Sequence, residues 1–179
     1  MKIVYERGKK NMKIDLGCGT RKKKGFIGVD VIDFSHLYPK GQFIKMDLNK
    51  GINLPDNSVD EIYTHHYLKH HPNLFWFIDE MYRVCKKNAK ITIIVPHFTN
   101  NNHPFHYGAW GYYALNAYEA NDNPVYYRKY FKTIKNELKF GGFYKPFFWL
   151  KYIPWIYENS FLRSFIFCTE IELVLKVIK

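Results

Sequence analysis

KIDLGCGTRKKKGFIGVD, residues 13–30, decides how this chain is read. An apolar run ends in an acid, Asp15. Gly17-Cys18-Gly19 follows, then a basic patch, then a second apolar run ending in another acid, Asp30. Glycines directly after a strand permit a tight turn and let a ligand approach the backbone closely. An acid closing the next strand can accept the hydroxyls of a ribose. A third acid, Asp47, ends the next apolar run, FIKMD at 43–47. Three consecutive strands would then carry Asp15, Asp30 and Asp47 to one edge of a sheet. A single acid at a strand end is ordinary capping; three beside a glycine turn are better explained by a shared ligand.

Apolar periodicity extends the pattern along the chain. Strands are expected at 13–16, 26–31, 43–46, 59–64 and 90–95. ITIIV at 91–95 is almost wholly β-branched and apolar, as in a strand covered on both faces. Leu74, Phe77, Ile78, Met81, Tyr82 and Cys85 recur at helical spacing, so a helix is expected over 73–87, with Lys86 and Lys87 at its C-terminus. A weaker helix is expected over 111–120. FKTIKNELKF at 131–140 and EIELVLKVIK at 170–179 alternate, as in an antiparallel pair. Between them, residues 140–168 form an aromatic insertion with Lys145, Lys151, Arg163 and two prolines. The expected fold is α/β: a Rossmann-like, mostly parallel sheet with helices on both faces, and an antiparallel C-terminal hairpin carrying the insertion. Residues 1–179 read as one domain, since no linker, repeat or low-complexity tract interrupts them.

Two common ligands fit poorly. A dinucleotide fingerprint would need glycine at position 22, where Lys22 stands, and its ribose acid should lie about 20 residues downstream. A GxxxxGK[ST] phosphate loop is absent from the sequence.

DLGCGT at 15–20 resembles motif I of class I S-adenosylmethionine-dependent methyltransferases. The likeness continues through GFIGVDV, KMDLN, LPDNSVDEIYTHHYLKHHP and MYRVCKKNAKITIIVPHF, and EIELVLKVIK resembles the closing strand. The small type-11 branch is the most similar. His66-Tyr67-Leu68-Lys69-His70 stands where that branch has a His-x-Leu-Glu-His-like segment, with Lys69 in place of glutamate. The resemblance implies S-adenosylmethionine as cofactor. It places Gly17, Cys18 and Gly19 beside the methionine half and Asp15 near its amino group. It gives Asp30 the ribose hydroxyls, with Val31 adjoining, and Asp47 and Leu48 the adenine edge. Thr64 or His65 would offer a carbonyl to the amino group. One departure is clear. Only 20–25 (TRKKKG) is available for the first crossover, about half of the dozen residues a parallel connection usually needs. Either the usual helix is reduced to a turn or the second strand is displaced. The short stretch before Met12 likewise leaves little room for helices that cover the substrate in such enzymes.

Methyl transfer to oxygen or nitrogen calls for a base within hydrogen-bond reach, and histidine titrates in the right range. His66, His97 and His106 follow strands four and five and are the catalytic candidates. No metal is expected: an adjacent His-His pair chelates poorly and no acid accompanies it in sequence. The three cysteines form no CxxC pair, which argues against disulfides and structural zinc.

The net charge of +11 points to a polyanionic partner or to a lysine-rich composition. No signal segment and no run long enough to span a bilayer is expected, so a cytoplasmic location follows, with peripheral membrane contact as an extension. The insertion suits a hydrophobic cover, a lid over the substrate, or a membrane-facing surface. The chain lacks the Asn-Pro-Pro-Tyr and Pro-Cys signatures of base methylation. The expected activity is methyl transfer to a small molecule, a glycan or a lipid headgroup. The alternatives are RNA methylation and a non-catalytic partner- or lipid-binding module with a vestigial pocket.

Overall fold

The computed structural model describes residues 11–100, 110–114 and 130–179. Seven strands form one sheet in the order β3-β2-β1-β4-β5-β7-β6. They are β1 (Lys13–Leu16), β2 (Ile27–Asp30), β3 (Phe43–Lys45), β4 (Val59–His65), β5 (Cys85–Pro96), β6 (Phe131–Lys139) and β7 (Glu170–Val177). The first five pair in parallel, and β7 runs antiparallel to both β5 and β6. The expected hairpin partners are therefore in place.

Position in the sheet explains each strand's residues. Ile91 through Pro96 are all buried, because β5 has a neighbour on either side and cover above and below. Helix α1 (Leu74–Val84) begins where the Asn73 side chain accepts from the Trp76 N–H, and it buries Phe77, Ile78, Met81 and Val84. The expected helix ran three residues too far. Cys85 is already extended and pairs with Val59, while 86–89 bulge out before Lys90 pairs with Glu61. Asn88 turns that bulge with φ +65°. Lys86 leaves the helix end to bind Asp60 at 2.7 Å. Beside Arg83 in its last turn, the helix C-terminus receives Lys179, which donates to the carbonyls of Arg83 (3.2 Å) and Cys85 (2.5 Å).

Residues 17–26 join β1 to β2 without a helix, and β2 is not displaced: Ile14, Asp15 and Leu16 lie opposite Ile27, Gly28 and Val29. The insertion is helical. A 3₁₀ segment (Gly142–Tyr152) leads into the short helix α2 (Pro154–Asn159), and a 3₁₀ turn (Phe161–Ser164) follows. Of the weak helix expected over 111–120, Tyr112–Ala114 form a turn, and 115–120 lie outside the described residues.

Arg83, on α1, holds the segment between β3 and β4. Its guanidinium donates to both oxygens of Glu80, to Asp56, and to the carbonyls of Ile52 and Leu54. Replacing Arg83 by Ala takes the side-chain donor from the Leu54 carbonyl and Asp56, and leaves the Ile52 carbonyl with only the Leu54 N–H and Glu80 with only the Ile52 N–H. A loss of about 2 kcal/mol in urea unfolding is expected, whereas Arg83→Lys should recover only part of it because a single ammonium cannot reproduce the fork.

Candidate active site

The carboxyl ends of the parallel strands surround two adjoining cavities that share Gly17. The larger, about 370 Å³, is lined by Gly17, Asp30, Val31, Asp47, Leu48, His66 and Tyr67 among others. The smaller, about 200 Å³, is lined by Asp15, Gly17, Cys18, Arg21, Lys23, Tyr63 and His65. Asp30 and Asp47 thus meet in one cleft, with Asp15 across the glycine turn from them. Gly19 and Thr64 line neither cavity. Gly19 instead donates its N–H to Asp30 Oδ2 at 2.9 Å. Thr64 is buried on β4.

The turn is built by the acids it presents. Gly17 and Cys18 donate to the Val29 carbonyl, continuing the β1–β2 pairing into the loop. Asp15 Oδ2 accepts the Lys23 N–H at 2.7 Å, closing the far side of the connection. Asp30 also accepts from Ile32 through Oδ1. A carboxylate has about four acceptor sites, so both acids keep lone pairs for a ligand. Gly17 is required twice over: its φ is +66°, and a Cβ there would collide with the ring of Tyr67. Asp47 accepts from Asn49 N and caps the 3₁₀ turn Leu48–Lys50.

Burial sets the electrostatics. Asp15 is pushed up to about 6 by desolvation, against the pull of its bond to Lys23 and of the Lys23 and Lys22 charges. Burial also raises the Cys18 thiol to about 12, so it is not a nucleophile at neutral pH.

The histidines divide into two kinds. His97 is fully buried: Nε2 donates to Glu158 Oε1 at 2.9 Å, and Nδ1 accepts from the Thr99 N–H. Glu158, on α2, also accepts the Tyr112 N–H at 2.6 Å. This buried contact ties the insertion to the end of β5. His71 is buried too; its Nδ1 accepts from Asn73 N, its Nε2 faces the Leu48 carbonyl, and its ring stacks on Phe77. His65 and His66 stand at the cavities instead, with Nε2 atoms 3.4 Å and 2.9 Å from Glu170 Oε1. The His66 imidazole, and after it that of His65, holds the Glu170 carboxyl down at about 2 against the opposing effect of burial. His106 lies outside the described residues. Glu170 and Glu158 escape sequence reasoning, since each meets its histidine from a distant part of the chain.

Residues 14–93 match the family model described as Methyltransferase domain. This segment is similar to a methyltransferase domain. No curated relative matches the chain by sequence. Solved structures similar to it include a SAM-dependent methyltransferase from Archaeoglobus fulgidus (18% identity, TM-score 0.58, covering 93% of this chain and 86% of that one). Another, from Mesorhizobium loti, has 13% identity and a TM-score of 0.62 over 92% and 90% of the two chains. A third is a Haloferax volcanii methyltransferase in complex with the Trm112 methyltransferase activator (12% identity, TM-score 0.60, 94% and 83%). Domain and fold together indicate S-adenosylmethionine as the cofactor. The residues present fit it: carboxylates for hydroxyls and an ammonium, bare backbone at Gly17, and a cleft within the usual ligand-pocket volume.

Two outcomes follow from this geometry. Asp15 titrates near 6 when folded against 3.8 ordinarily, so the folded state holds the extra proton between those values. Stability of the ligand-free protein should therefore fall as pH rises from about 4 to about 6, by at most about 3 kcal/mol. Asp15→Asn should remove that decline, which the difference between variant and parent in urea midpoints across this range will show. His97→Ala leaves Glu158 buried beside one backbone donor and should cost about 3 kcal/mol, measured by thermal unfolding.

Proposed function

We propose that the protein transfers a methyl group from S-adenosylmethionine to a small-molecule, glycan or lipid-headgroup acceptor. The observation that carries this reading is the meeting of Asp30 and Asp47 in one cleft, with Asp15 and the Gly17 backbone beside it. S-adenosylmethionine, when bound, supplies an already activated methyl group, so the chain's task is alignment. Asp30 takes the ribose hydroxyls, while Asp47 and the Leu48 backbone read the adenine edge. Asp15, Gly17 and Cys18 hold the methionine end, and Gly19 orients Asp30. Ligand binding favours the ionised form of Asp15, so the cofactor's ammonium offsets the burial that raises its pKa.

The acceptor enters on the side of His65, His66 and Glu170. His66 is the residue we assign to contact it. His97, enclosed and paired with Glu158, holds the insertion in position rather than touching the acceptor. The insertion supports an acceptor with apolar character, since Phe143, Tyr152, Trp155 and Phe161 are all more than half exposed. No helix among the described residues is long and apolar enough to cross a membrane, so a lipid acceptor would be met from the surface. The net charge of +11 favours RNA as the second reading.

Calorimetry with S-adenosylmethionine and S-adenosylhomocysteine tests the proposal. Both should bind one equivalent, and Asp30→Ala should weaken each by about 1–3 kcal/mol, the worth of unmade polar contacts. Absence of binding by the parent would leave the non-catalytic module. For the RNA reading, affinity should drop steeply between low and physiological salt; no binding of RNA at low salt removes it.

A further inference from the structure

Consecutive residues of a strand project to opposite faces. His65 ends β4, and the chain turns at His66, the first residue beyond it. The His66 backbone is left-handed, φ +59°, in a residue that is neither glycine nor asparagine. This turn brings both rings to one side, with centroids 4.3 Å apart. Both Nε2 atoms then face the same oxygen, Glu170 Oε1, from a residue more than a hundred positions downstream. Backbone in this region is costly and persists where the surroundings enforce it, commonly at ligand sites.

The two contacts differ: His65 Nε2 makes a long hydrogen bond to Glu170 Oε1 at 3.4 Å, whereas the closer His66 contact is misaligned for one. His66 Nε2 is buried and makes no hydrogen bond, although Glu170 Oε1 lies only 2.9 Å away. The three ligand atoms all fall within 4.8 Å of each other. In a tetrahedral zinc site with bonds of about 2.0–2.2 Å, neighbouring ligand atoms stand roughly 3.3–3.5 Å apart. The separations to Glu170 need only small adjustment to reach that spacing.

We propose that His65, His66 and Glu170 form a binding site for one divalent cation of the zinc class. Two imidazoles and one carboxylate suit zinc or cobalt better than magnesium or calcium, which prefer oxygen. The acid that the sequence alone did not supply comes from the first residue of β7. Three protein ligands leave a fourth position open, the arrangement of catalytic rather than structural zinc. His65 lines the cavity that holds Asp15, and His66 lines the cavity that holds Asp30 and Asp47. The open position therefore serves the acceptor side of the cofactor cleft. A hydroxyl oxygen bound there becomes more acidic and releases its proton to solvent. That use of the cation rests on the methyltransferase reading; the cation site itself does not.

The test uses untagged full-length protein stripped with a chelator. Zn²⁺ is titrated by calorimetry, and Co²⁺ by its visible d–d absorption. One equivalent should bind, with a Co²⁺ spectrum of nitrogen and oxygen ligation. Glu170→Gln and His65→Ala should each weaken binding at least tenfold, while His36→Ala, away from the cluster, should change nothing. Circular dichroism establishes that each variant is folded, and two variants at different ligands guard against one of them misfolding. Failure of the parent to bind, or unchanged binding in both folded variants, overturns the site. S-adenosylhomocysteine titrated into the same samples separates the two ideas. Its binding without Zn²⁺ binding sinks only the cation site, and Zn²⁺ binding without it sinks only the methyltransferase reading.

Discussion

The connection between β1 and β2 governs the rest of the structure. Parallel neighbours normally need a helix to carry the chain back, and this chain has only residues 17–26 for the journey. The loop manages it by bonding to the strands it joins. Val29 receives two N–H groups at its start, Asp30 receives Gly19, and Asp15 receives Lys23 near its end. Two of these bonds, from Gly19 and Lys23, would have no partner if the strand ends lacked acids. Asp15 and Asp30 are thus structural as well as available to a ligand, and the loop leaves Gly17 bare between them. Gly28 belongs to the same device, since a Cβ there would press on the Cys18 sulfur at 2.8 Å. A compact crossover and a polar cleft are one solution to one problem.

The second constraint acts at the other edge. β7 reverses direction against β5, which lets residues before it fold back over the carboxyl ends of the parallel strands. The insertion is held there by buried polar contacts: His97 to Glu158, Glu158 to the Tyr112 N–H, and the Tyr157 hydroxyl, which donates to the Ile166 carbonyl and accepts from Cys168 N. Its apolar anchors are few, with Leu150, Tyr157, Ile166 and Cys168 buried while several large aromatics stay exposed. The insertion is therefore pinned by hydrogen bonds at specific points more than by a continuous apolar face. A reading of it as simple hydrophobic cover accounts for the anchors and leaves the exposed rings unexplained.

How much of this was legible in the sequence depends on the range of the interaction. Strands β1 to β5, the α1 face and the antiparallel pair were readable because period and turn chemistry are local. The Asp15, Gly17, Asp30 and Asp47 arrangement was readable for the same reason: each residue sits at a strand end. The end of α1 was not, because Cys85 leaves the helix to pair with Val59, and the balancing cation, Lys179, comes from the far end of the chain. His97 looked catalytic by position after β5, but its partner lies 61 residues away and encloses it. Glu170 read as an ordinary alternating residue of β7. Nothing local distinguishes it from Glu172, which instead binds Lys139 and Lys135.

The fold alone does not fix the chemistry, since one sheet and one crossover can serve many acceptors. What individualises this chain lies at the boundary between its parallel and antiparallel halves. β4 ends in His65, and the left-handed backbone of His66, the next residue, turns its ring to the same side. β7, entering from the opposite direction, sets a carboxylate between them. A parallel strand in that place would bring its carboxyl end there, and its first residue would lie at the other edge of the sheet. The reversed strand is what allows Glu170, the residue just after the insertion, to face β4. The insertion, the reversal and the His-Glu cluster therefore depend on one another. Lengthening or shortening 140–168 need not disturb the cleft at Asp30 and Asp47, but anything that moves the start of β7 must disturb the cluster of His65, His66 and Glu170.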